Sequence, residues 1–344
     1  MNTNAIKLHN SVPSKVSLLL PGFLLCSVIA AAASFVSDQY GGPKFLYALL
    51  IGIAFHFLSD NTKCIPGIEA CAKKLVRIGV ALLGVRIAFS DVNDLGAVGI
   101  GALAGAVVLT ISFGLLLARI LKLPPMLGLL SGGATGICGI SAAMAISSTM
   151  PQNSENEHFT LLTAIGVATF STIAMVAYPL IVTTAGLTTS EAGLFLGGSI
   201  HDVAQVVGAG FMISPEVGDA ATLAKMFRVA MLMPVVVLLV FFFRAGREES
   251  VSTQTARQPL VPGFLIVFIG LIGLNSLSLI PTQVVALSSD FSKWCLVISI
   301  SALGIKTSFQ KLSKLGWKPV ILFFGNAVFI AGYMLLVVYM ARFY

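Results

Sequence analysis

A glycine-rich stretch inside an apolar segment constrains this chain more than any other feature. Residues 132–141 read Gly-Gly-Ala-Thr-Gly-Ile-Cys-Gly-Ile-Ser, and they lie in an apolar run from Met126 to Met150 that is long enough to cross a bilayer. Each glycine in a helix interior costs about 1 kcal/mol relative to alanine. An unwound backbone in lipid also lacks water to satisfy its polar groups. The stretch therefore predicts a broken helix that is buried in protein or lines a cavity.

A second apolar segment is interrupted in a similar way. Residues 197–205 read Gly-Gly-Ser-Ile-His-Asp-Val-Ala-Gln, and Gly208 and Gly210 follow. This segment places ionisable groups inside a hydrophobic span. Two glycine-interrupted spans in one membrane protein are the usual sequence indication of a transporter site near the bilayer midplane.

The composition agrees with a membrane protein. Of the 344 residues, 57% are hydrophobic and 10% are charged, and the mean hydropathy is +0.96. Soluble domains carry about 25% charged residues. The excess of 21 Lys and Arg over 14 Asp and Glu indicates basic cytoplasmic loops rather than a nucleic-acid partner.

The cysteines and histidines do not form a recognisable metal or cofactor motif. The five cysteines lie at positions 26, 64, 71, 138 and 295, without a Cys-x-x-Cys pair and without histidines at ligand spacing. This spacing argues against a metal site and a disulfide framework. Since there is also no nucleotide-binding motif, we expect no cofactor and no ATP-driven step.

We predict an all-α polytopic membrane protein of ten or eleven transmembrane helices, forming one transporter domain over residues 1–344. Residues 1–15 are predicted to be a cytoplasmic N-terminal segment, and residues 244–258 a polar cytoplasmic linker. The predicted spans are 16–36, 45–58, 75–89, 97–118, 126–150, 159–182, 192–213, 223–243, 260–280, 284–305 and 320–340. If either glycine-rich segment is a re-entrant hairpin, the number of crossings changes by one.

The charges between these spans predict the orientation. With the N-terminus in the cytoplasm, 15 of the 21 basic residues fall on the inner side. The predicted outer loops carry acidic clusters, at residues 91 and 94, 155 and 157, and 216 and 219. This distribution follows the positive-inside rule.

The sequence contains an internal repeat at an offset of 220 residues. Residues 83–89, Leu-Gly-Val-Arg-Ile-Ala-Phe, match residues 303–309, Leu-Gly-Ile-Lys-Thr-Ser-Phe, and Leu95-Gly96 matches Leu315-Gly316. Seven predicted crossings separate the copies, so we expect an inverted repeat, as in many secondary transporters. The alternative is chance similarity between two amphipathic helix ends. The equivalent residues Arg86 and Lys306 are expected at the membrane interface.

Three motifs together resemble the YeiH family of bacterial inner-membrane proteins, to which sulfate export has been ascribed. They are Ile-Cys-Gly-Ile-Ser-Ala at 137–142, Ser-Ile-His-Asp-Val-Ala-Gln-Val-Val at 199–207, and Lys-Met-Phe-Arg at 225–228 followed by Pro234. The family usually has His-Glu-Val-Ala-Gln, so Asp202 is a shorter substitute. The resemblance covers nearly the whole chain. It implies an inner-membrane location and a likeness to inverted-repeat anion and bile-acid transporters.

The first glycine-rich stretch is a candidate anion site. The N-terminus of a half-helix offers unpaired N–H groups and a dipole that favours an anion. We predict substrate contacts from Gly136, Cys138, Gly139 and Ser141, in which glycines permit close approach and the hydroxyl donates. Alternatively, these glycines serve only for helix packing. Cys138 by itself is expected to be a small packing residue rather than a nucleophile.

The second stretch supplies further candidates. His201 and Gln205 share a helix face at i and i+4, and with Ser199 they are predicted to contact substrate. Asp202 points elsewhere and is predicted to carry a proton, coordinate Na⁺, or pair with Lys225 or Arg228. The alternative for His201 and Asp202 is a structural pair that links spans seven and eight.

Lys225 and Arg228 lie at i and i+3 near the predicted outer end of span eight. They are predicted to attract or gate an anion. The alternative is that both side chains extend to the lipid headgroups.

These residues together predict a secondary transporter of a small anion such as sulfate, sulfite, a sulfonate or a similar organic anion. The expected partners are that anion, the lipid bilayer and a coupled H⁺ or Na⁺. The sequence also allows a homodimer. The first alternative is a Na⁺/H⁺ exchange-type antiporter that uses Asp202. The second is an intramembrane enzyme, which the absence of His-Glu-x-x-His, Gly-x-Ser-x-Gly and paired carboxylates disfavours.

Overall fold

The computed structural model describes residues 15–94, 96–150, 153–244, 262–307 and 316–342, and this part of the chain is helical without strands. The first half contains α1 Lys15–Tyr40, α2 Lys44–Ala54, α3 Ile65–Ala70, α4 Val76–Leu83, α5 Phe89–Asp94, α6 Gly96–Ile120, α7 Pro125–Gly136 and α8 Ile140–Ser147. The second half contains α9 Ser154–Thr184, α10 Thr189–Ser199, α11 Val203–Ile213, α12 Pro215–Ala230, α13 Leu232–Arg244, α14 Gly263–Ser276, α15 Thr282–Lys306 and α16 Trp317–Ala341.

Among the described residues, six helical segments are long and apolar enough to cross a membrane. They are α1, α6, α9, α15, α16, and α12 with α13 taken together. These segments and the absence of strands in the same residues confirm the predicted all-helical class. The other predicted spans consist of shorter pieces. The second is α2 with a 3₁₀ turn at His56–Asp60, and the third joins α3 to α4 through a π-helical turn at Cys71–Leu75. A break between two half-helices interrupts each glycine-rich span.

Several predictions fall wholly or mainly outside the described residues. These are the cytoplasmic N-terminal segment 1–15, the polar linker 244–258, and the end of the second repeat copy from residue 308 to 315.

The helices pack into two bundles. The first bundle contains α1–α4, α14 and α15, and the second contains α6–α13 and α16. Close approach of glycines allows tight crossings in the first bundle. A side-chain carbon at Gly22 would lie 2.7 Å from Cα of Gly67, and one at Gly304 would lie 2.9 Å from Cα of Gly52. The two bundles meet mainly where α11 packs against α2 and α15.

The helix boundaries follow the 220-residue offset of the sequence repeat. When 220 is added to its residue numbers, α2 falls within the range of α14, and the segment from α3 to α4 falls within that of α15. The shifted range of α6 ends one residue before the end of α16. The packing is reciprocal as well, because α2 packs against α15 and α14 packs against α4. The opposite orientation of the two copies stays a prediction.

Candidate functional site

The first glycine-rich segment breaks at residues 137–139. The α7 helix ends at Gly136, and Gly139 precedes α8 with φ +68° and ψ −133°, a conformation that is accessible essentially to glycine alone. Gly132 has another role: a side-chain carbon there would lie 2.7 Å from the Thr110 carbonyl oxygen of α6. Gly139 therefore permits the break and Gly132 permits close helix packing, while the anion contacts of this stretch stay a prediction.

The second segment breaks at residues 200–202, just after its paired glycines. Between α10 and α11, the backbone is extended at Ile200 and at Asp202, and His201 lies between them. Gly197 packs so closely against α12 that an added side-chain carbon would overlap the Ala221 carbonyl oxygen. The glycines of this segment permit close helix packing, and the non-glycine residues after them form the break.

The two breaks lie against each other. A side-chain carbon at Gly139 would lie 3.6 Å from Cβ of Asp202 and 3.7 Å from the carbonyl oxygen of His201. The unwound backbone of α7–α8 and that of α10–α11 therefore form one crossing in the second bundle. We call residues 136–141 and 199–205 the crossing.

Lys225 of α12 is completely buried beneath the crossing. Its Nζ donates hydrogen bonds to the carbonyls of Ile137 at 2.7 Å, Ile200 at 2.9 Å and His201 at 2.6 Å. An ammonium group has three donors, so these carbonyls use its full capacity.

Arg228, one turn further along α12, is also completely buried. Its Nε donates to Gly136 at 2.8 Å and its Nη2 to Thr135 at 2.6 Å, both at the end of α7. Its Nη1 donates to Gly197 and Ile200 of the second segment, each at 3.0 Å. Burial excludes the alternative that either cation extends to the lipid headgroups, while the predicted gating role of the two residues stays a prediction.

These contacts give the crossing a defined electrostatic pattern. The C-terminal ends of α7 and α10 carry partial negative charge, and Lys225 and Arg228 offset it. The N-terminus of α11 is capped by Asp202, whose side chain accepts from the Ala204 N–H at 3.3 Å. The N-terminus of α8 has no side-chain cap. Its N–H groups therefore favour a negatively charged ligand.

His201 and Gln205 contribute polar atoms that are buried without a partner. The two residues are 0% and 2% exposed, and His201 Nε2 and Gln205 Oε1 make no hydrogen bond. The other ring nitrogen, Nδ1, lies 3.2 Å from the Ser199 carbonyl oxygen. Buried polar atoms are normally hydrogen-bonded, so these two atoms are available to a ligand.

The remaining predicted residues differ in accessibility. Ser141 is exposed on α8, whereas Cys138 is buried at the break. Ser199 is buried and its hydroxyl donates to the Phe195 carbonyl. The predicted ion pair of Asp202 with Lys225 or Arg228 is not among the ion pairs of the described residues, because carbonyl oxygens take the donors of both cations.

Two residues near Asp202 were not singled out by the sequence. Ser171 of α9 accepts from the Asp202 N–H at 3.1 Å through its hydroxyl. Arg77 is exposed on α4 of the first bundle and acts electrostatically on the Asp202 carboxylate. Arg77 follows Lys73 and Lys74 closely in the sequence, where it contributed only to the count of basic residues on the inner side, and no sequence signal indicated Ser171.

Comparisons with known proteins identify similar sequences along nearly the whole chain. The family model described as Conserved hypothetical protein 698 matches residues 21–323. The UPF0324 membrane protein CT0845 of Chlorobaculum tepidum is 45% identical over 312 residues, covering 90% of this chain and 87% of the relative. The UPF0324 membrane protein TauZ of Paracoccus denitrificans is 44% identical over 323 residues, covering 93% and 95%. The UPF0324 membrane protein RB0971 of Rhizobium meliloti is 45% identical over 315 residues, covering 92% and 91%.

Proposed function

Because this chain belongs to the UPF0324 family of membrane proteins, we propose that it is a secondary transporter of a small anion. Its location would be the bacterial inner membrane, with the N-terminus in the cytoplasm. The single observation that carries the proposal is the crossing. There the uncapped N-terminus of α8 lies beside the second break, where His201 Nε2 is buried without a hydrogen-bond partner. The buried amide of Gln205 follows in α11. It offers an anion its NH2 donors, because its unpaired oxygen can only accept.

The chemistry of the crossing supports an anion with several acceptor oxygens. N–H groups at a helix start bind oxyanions without a charged side chain. Sulfate, sulfite, a sulfonate or a carboxylate could accept from these groups and from Ser141. Lys225 and Arg228 act as fixed caps in this proposal, because the carbonyls at the half-helix ends already bind them.

The hydrogen bonds of His201 support proton coupling. A carbonyl oxygen can only accept, so Nδ1 beside the Ser199 carbonyl must carry a hydrogen. In the neutral ring Nε2 then has a lone pair and repels an anion. Only the doubly protonated ring donates from both nitrogens. We therefore propose that anion binding at Nε2 is accompanied by uptake of a proton.

The two-bundle arrangement supports alternating access. The proposed binding residues all lie in the second bundle. The first bundle, in which α2 packs against α15 and α14 against α4, provides a surface against which the second can move. Inverted-repeat transporters move one such unit against the other around a central site.

Transport is favoured over catalysis by the orientation of the Ser199 hydroxyl near His201. The His201 ring contacts the carbonyl rather than the hydroxyl of Ser199, and that hydroxyl donates to Phe195. A nucleophile needs a general base within hydrogen-bond reach, and this geometry does not provide it at Ser199.

A cation antiporter is the second candidate, because Asp202, a half-buried residue, places a carboxylate at the crossing. A carboxylate in a membrane span could bind Na⁺ or H⁺ directly. This candidate requires no anion at α8, and the same binding experiment separates the two functions.

Thermal stability of the purified protein tests the proposal. A ligand that binds the folded state raises the melting temperature by mass action. Sulfate, sulfite, ethanesulfonate and acetate should be compared at equal ionic strength, with Na⁺ varied separately. At least one anion should raise the melting temperature of wild type but not of the Gln205→Ala variant. Stabilisation by Na⁺ alone, lost in Asp202→Asn, would instead support the cation antiporter.

A further inference from the structure

An ion pair joins the two bundles at one end of their contact. Arg86 lies in the turn after α4 of the first bundle, and Asp219 lies in α12 of the second. Arg86 Nη2 and Asp219 Oδ2 are 3.1 Å apart, and the two side chains are 22% and 19% exposed. The arginine was expected to lie at the membrane interface, but its partner is a carboxylate of the opposite bundle.

The other main contacts between the bundles come from the same part of the second bundle. The rings of Phe45 on α2 and Phe211 on α11 are 5.6 Å apart. A side-chain carbon at Gly208 of α11 would lie 2.8 Å from Cδ1 of Ile300 on α15. By contrast, α7 and α10 pack against helices of their own bundle, namely α6, α9, α12 and α16. The bundles therefore meet on the α11 side of the crossing.

We propose that the Arg86–Asp219 pair is the latch of a gate that closes this side of the crossing, an inference that rests on the proposed transport function. Along α12, Asp219 lies six residues before Lys225, which is about 9 Å of helix. The pair therefore lies close enough to the crossing to block an approaching ligand. Opening on this side separates the two bundles and breaks the pair.

An ion pair suits a contact that must break and form again. Arg86 Nη1 and Asp219 Oδ1 are buried without a hydrogen-bond partner in the closed arrangement. When the bundles separate, water reaches both charged groups and hydrates them, and this hydration offsets the lost attraction. The closed and open arrangements can then be close in free energy.

The repeat provides a matched control. Lys306 occupies the position equivalent to Arg86, and its Nζ lies 3.9 Å from Glu69 Oε1. Both residues belong to the first bundle, so this pair does not cross the contact between the bundles. Loss of the Lys306–Glu69 pair should leave the gate unchanged.

Labelling of the native Cys138 tests the gate without any knowledge of the substrate. Cys138 lies in the crossing and is 6% exposed. In a background with the partly exposed Cys64 replaced by serine, the protein is reconstituted in liposomes. A small membrane-impermeant methanethiosulfonate reagent is then added from each side. We expect Arg86→Gln and Asp219→Asn to raise the labelling rate several-fold from one side only. The charge-exchanged double variant, Arg86→Asp with Asp219→Arg, should return towards the wild-type rate, and Lys306→Gln should keep it.

The same variants in a Cys138→Ser background show whether labelling is specific. Label in that background would reveal unfolding, and Arg86→Met, which removes the charge and keeps most of the side-chain length, then replaces the failing variant. Wild-type labelling rates in both folded single variants would overturn the proposal, as would an exchange variant labelled as fast as the single variants. Since no ligand is present, failure of the gate and failure of the anion-binding proposal are separate results.

Discussion

Lys225 Nζ donates a hydrogen bond of 2.6 Å to the main-chain carbonyl of His201. A residue of α12 thereby fixes the backbone of the residue whose ring is proposed to bind the anion. The same ammonium group also binds Ile137 of the other broken segment. One buried cation therefore links both breaks and positions them relative to each other.

Replacement of Lys225 by methionine should destabilise the protein strongly. The variant keeps a similar volume but leaves the buried carbonyls of Ile137 and His201 without their donor, while Ile200 keeps its bond from Arg228. Each such loss costs about 1–3 kcal/mol. We expect a clearly lower melting temperature in detergent. The control is Lys293→Met, because this lysine is 45% exposed and its partner Asp290 is 74% exposed. Equal melting temperatures for the two variants would contradict the capping role.

Replacement of Gly139 by alanine should weaken ligand binding through backbone strain. An added Cβ meets no atom closer than 3.6 Å, so space is sufficient, but the φ of +68° is unfavourable for alanine. Such a conformation costs about 1–3 kcal/mol, and relief of that strain would shift the N–H groups of α8. Gly101→Ala is the control, because its site is open and its φ is ordinary. Binding measured by titration calorimetry should weaken in the first variant only.

Anion binding should be linked to pH through His201. If the bound ring carries a second proton, the affinity falls as the pH rises above the pKa of the ring in the ligand-free protein, with the uptake of up to one proton for each anion bound. His201→Gln should bind weakly at all pH values with a much flatter profile. Removal of the Gln205 amide leaves the buried anion without one of its hydrogen-bond partners, so Gln205→Ala should lose roughly 1–3 kcal/mol of binding free energy. A structural role alone would lower the melting temperature of His201→Gln and leave the affinity of the folded protein unchanged.

The ion pair between Glu191 and Arg342 should make stability depend on acid pH. Arg342 Nε lies 2.6 Å from Glu191 Oε1, and this guanidinium lowers the pKa of the carboxyl group to about 2. The unfolded value is about 4.3. The stabilisation is therefore complete above the unfolded pKa and is lost as the pH falls towards 2. The difference in melting temperature between wild type and Glu191→Gln should shrink below about pH 4, and a constant difference would contradict the assignment.

Labelling from the two sides of the membrane tests the orientation of the repeat. A cysteine at Asn153 should react from the periplasm, and a cysteine at Ser313, outside the described residues, should react from the cytoplasm. The expectation rests on the 220-residue offset and on the opposite charges of the two loops. Reaction of both positions from the same side would exclude the inverted arrangement.

The sequence by itself determined the helical class and the two interrupted segments. Long apolar runs must satisfy their backbone by forming helices in lipid, and clustered glycines such as Gly136 and Gly139 weaken a helix locally. Such information is local, so it can be read from neighbouring residues. Position and spacing also identified His201, Gln205, Lys225 and Arg228 as unusual residues inside apolar segments.

Only the tertiary structure decided what these residues contact. The donors of Lys225 and Arg228 bind carbonyls that lie 24 to 93 residues away in the chain, and main-chain carbonyls have no side-chain signature in a sequence. The partner of Arg86 likewise depended on how the two bundles meet. The packing of distant helices assigns each buried donor its acceptor, and for this reason the caps and the Arg86–Asp219 pair emerged only from the folded chain.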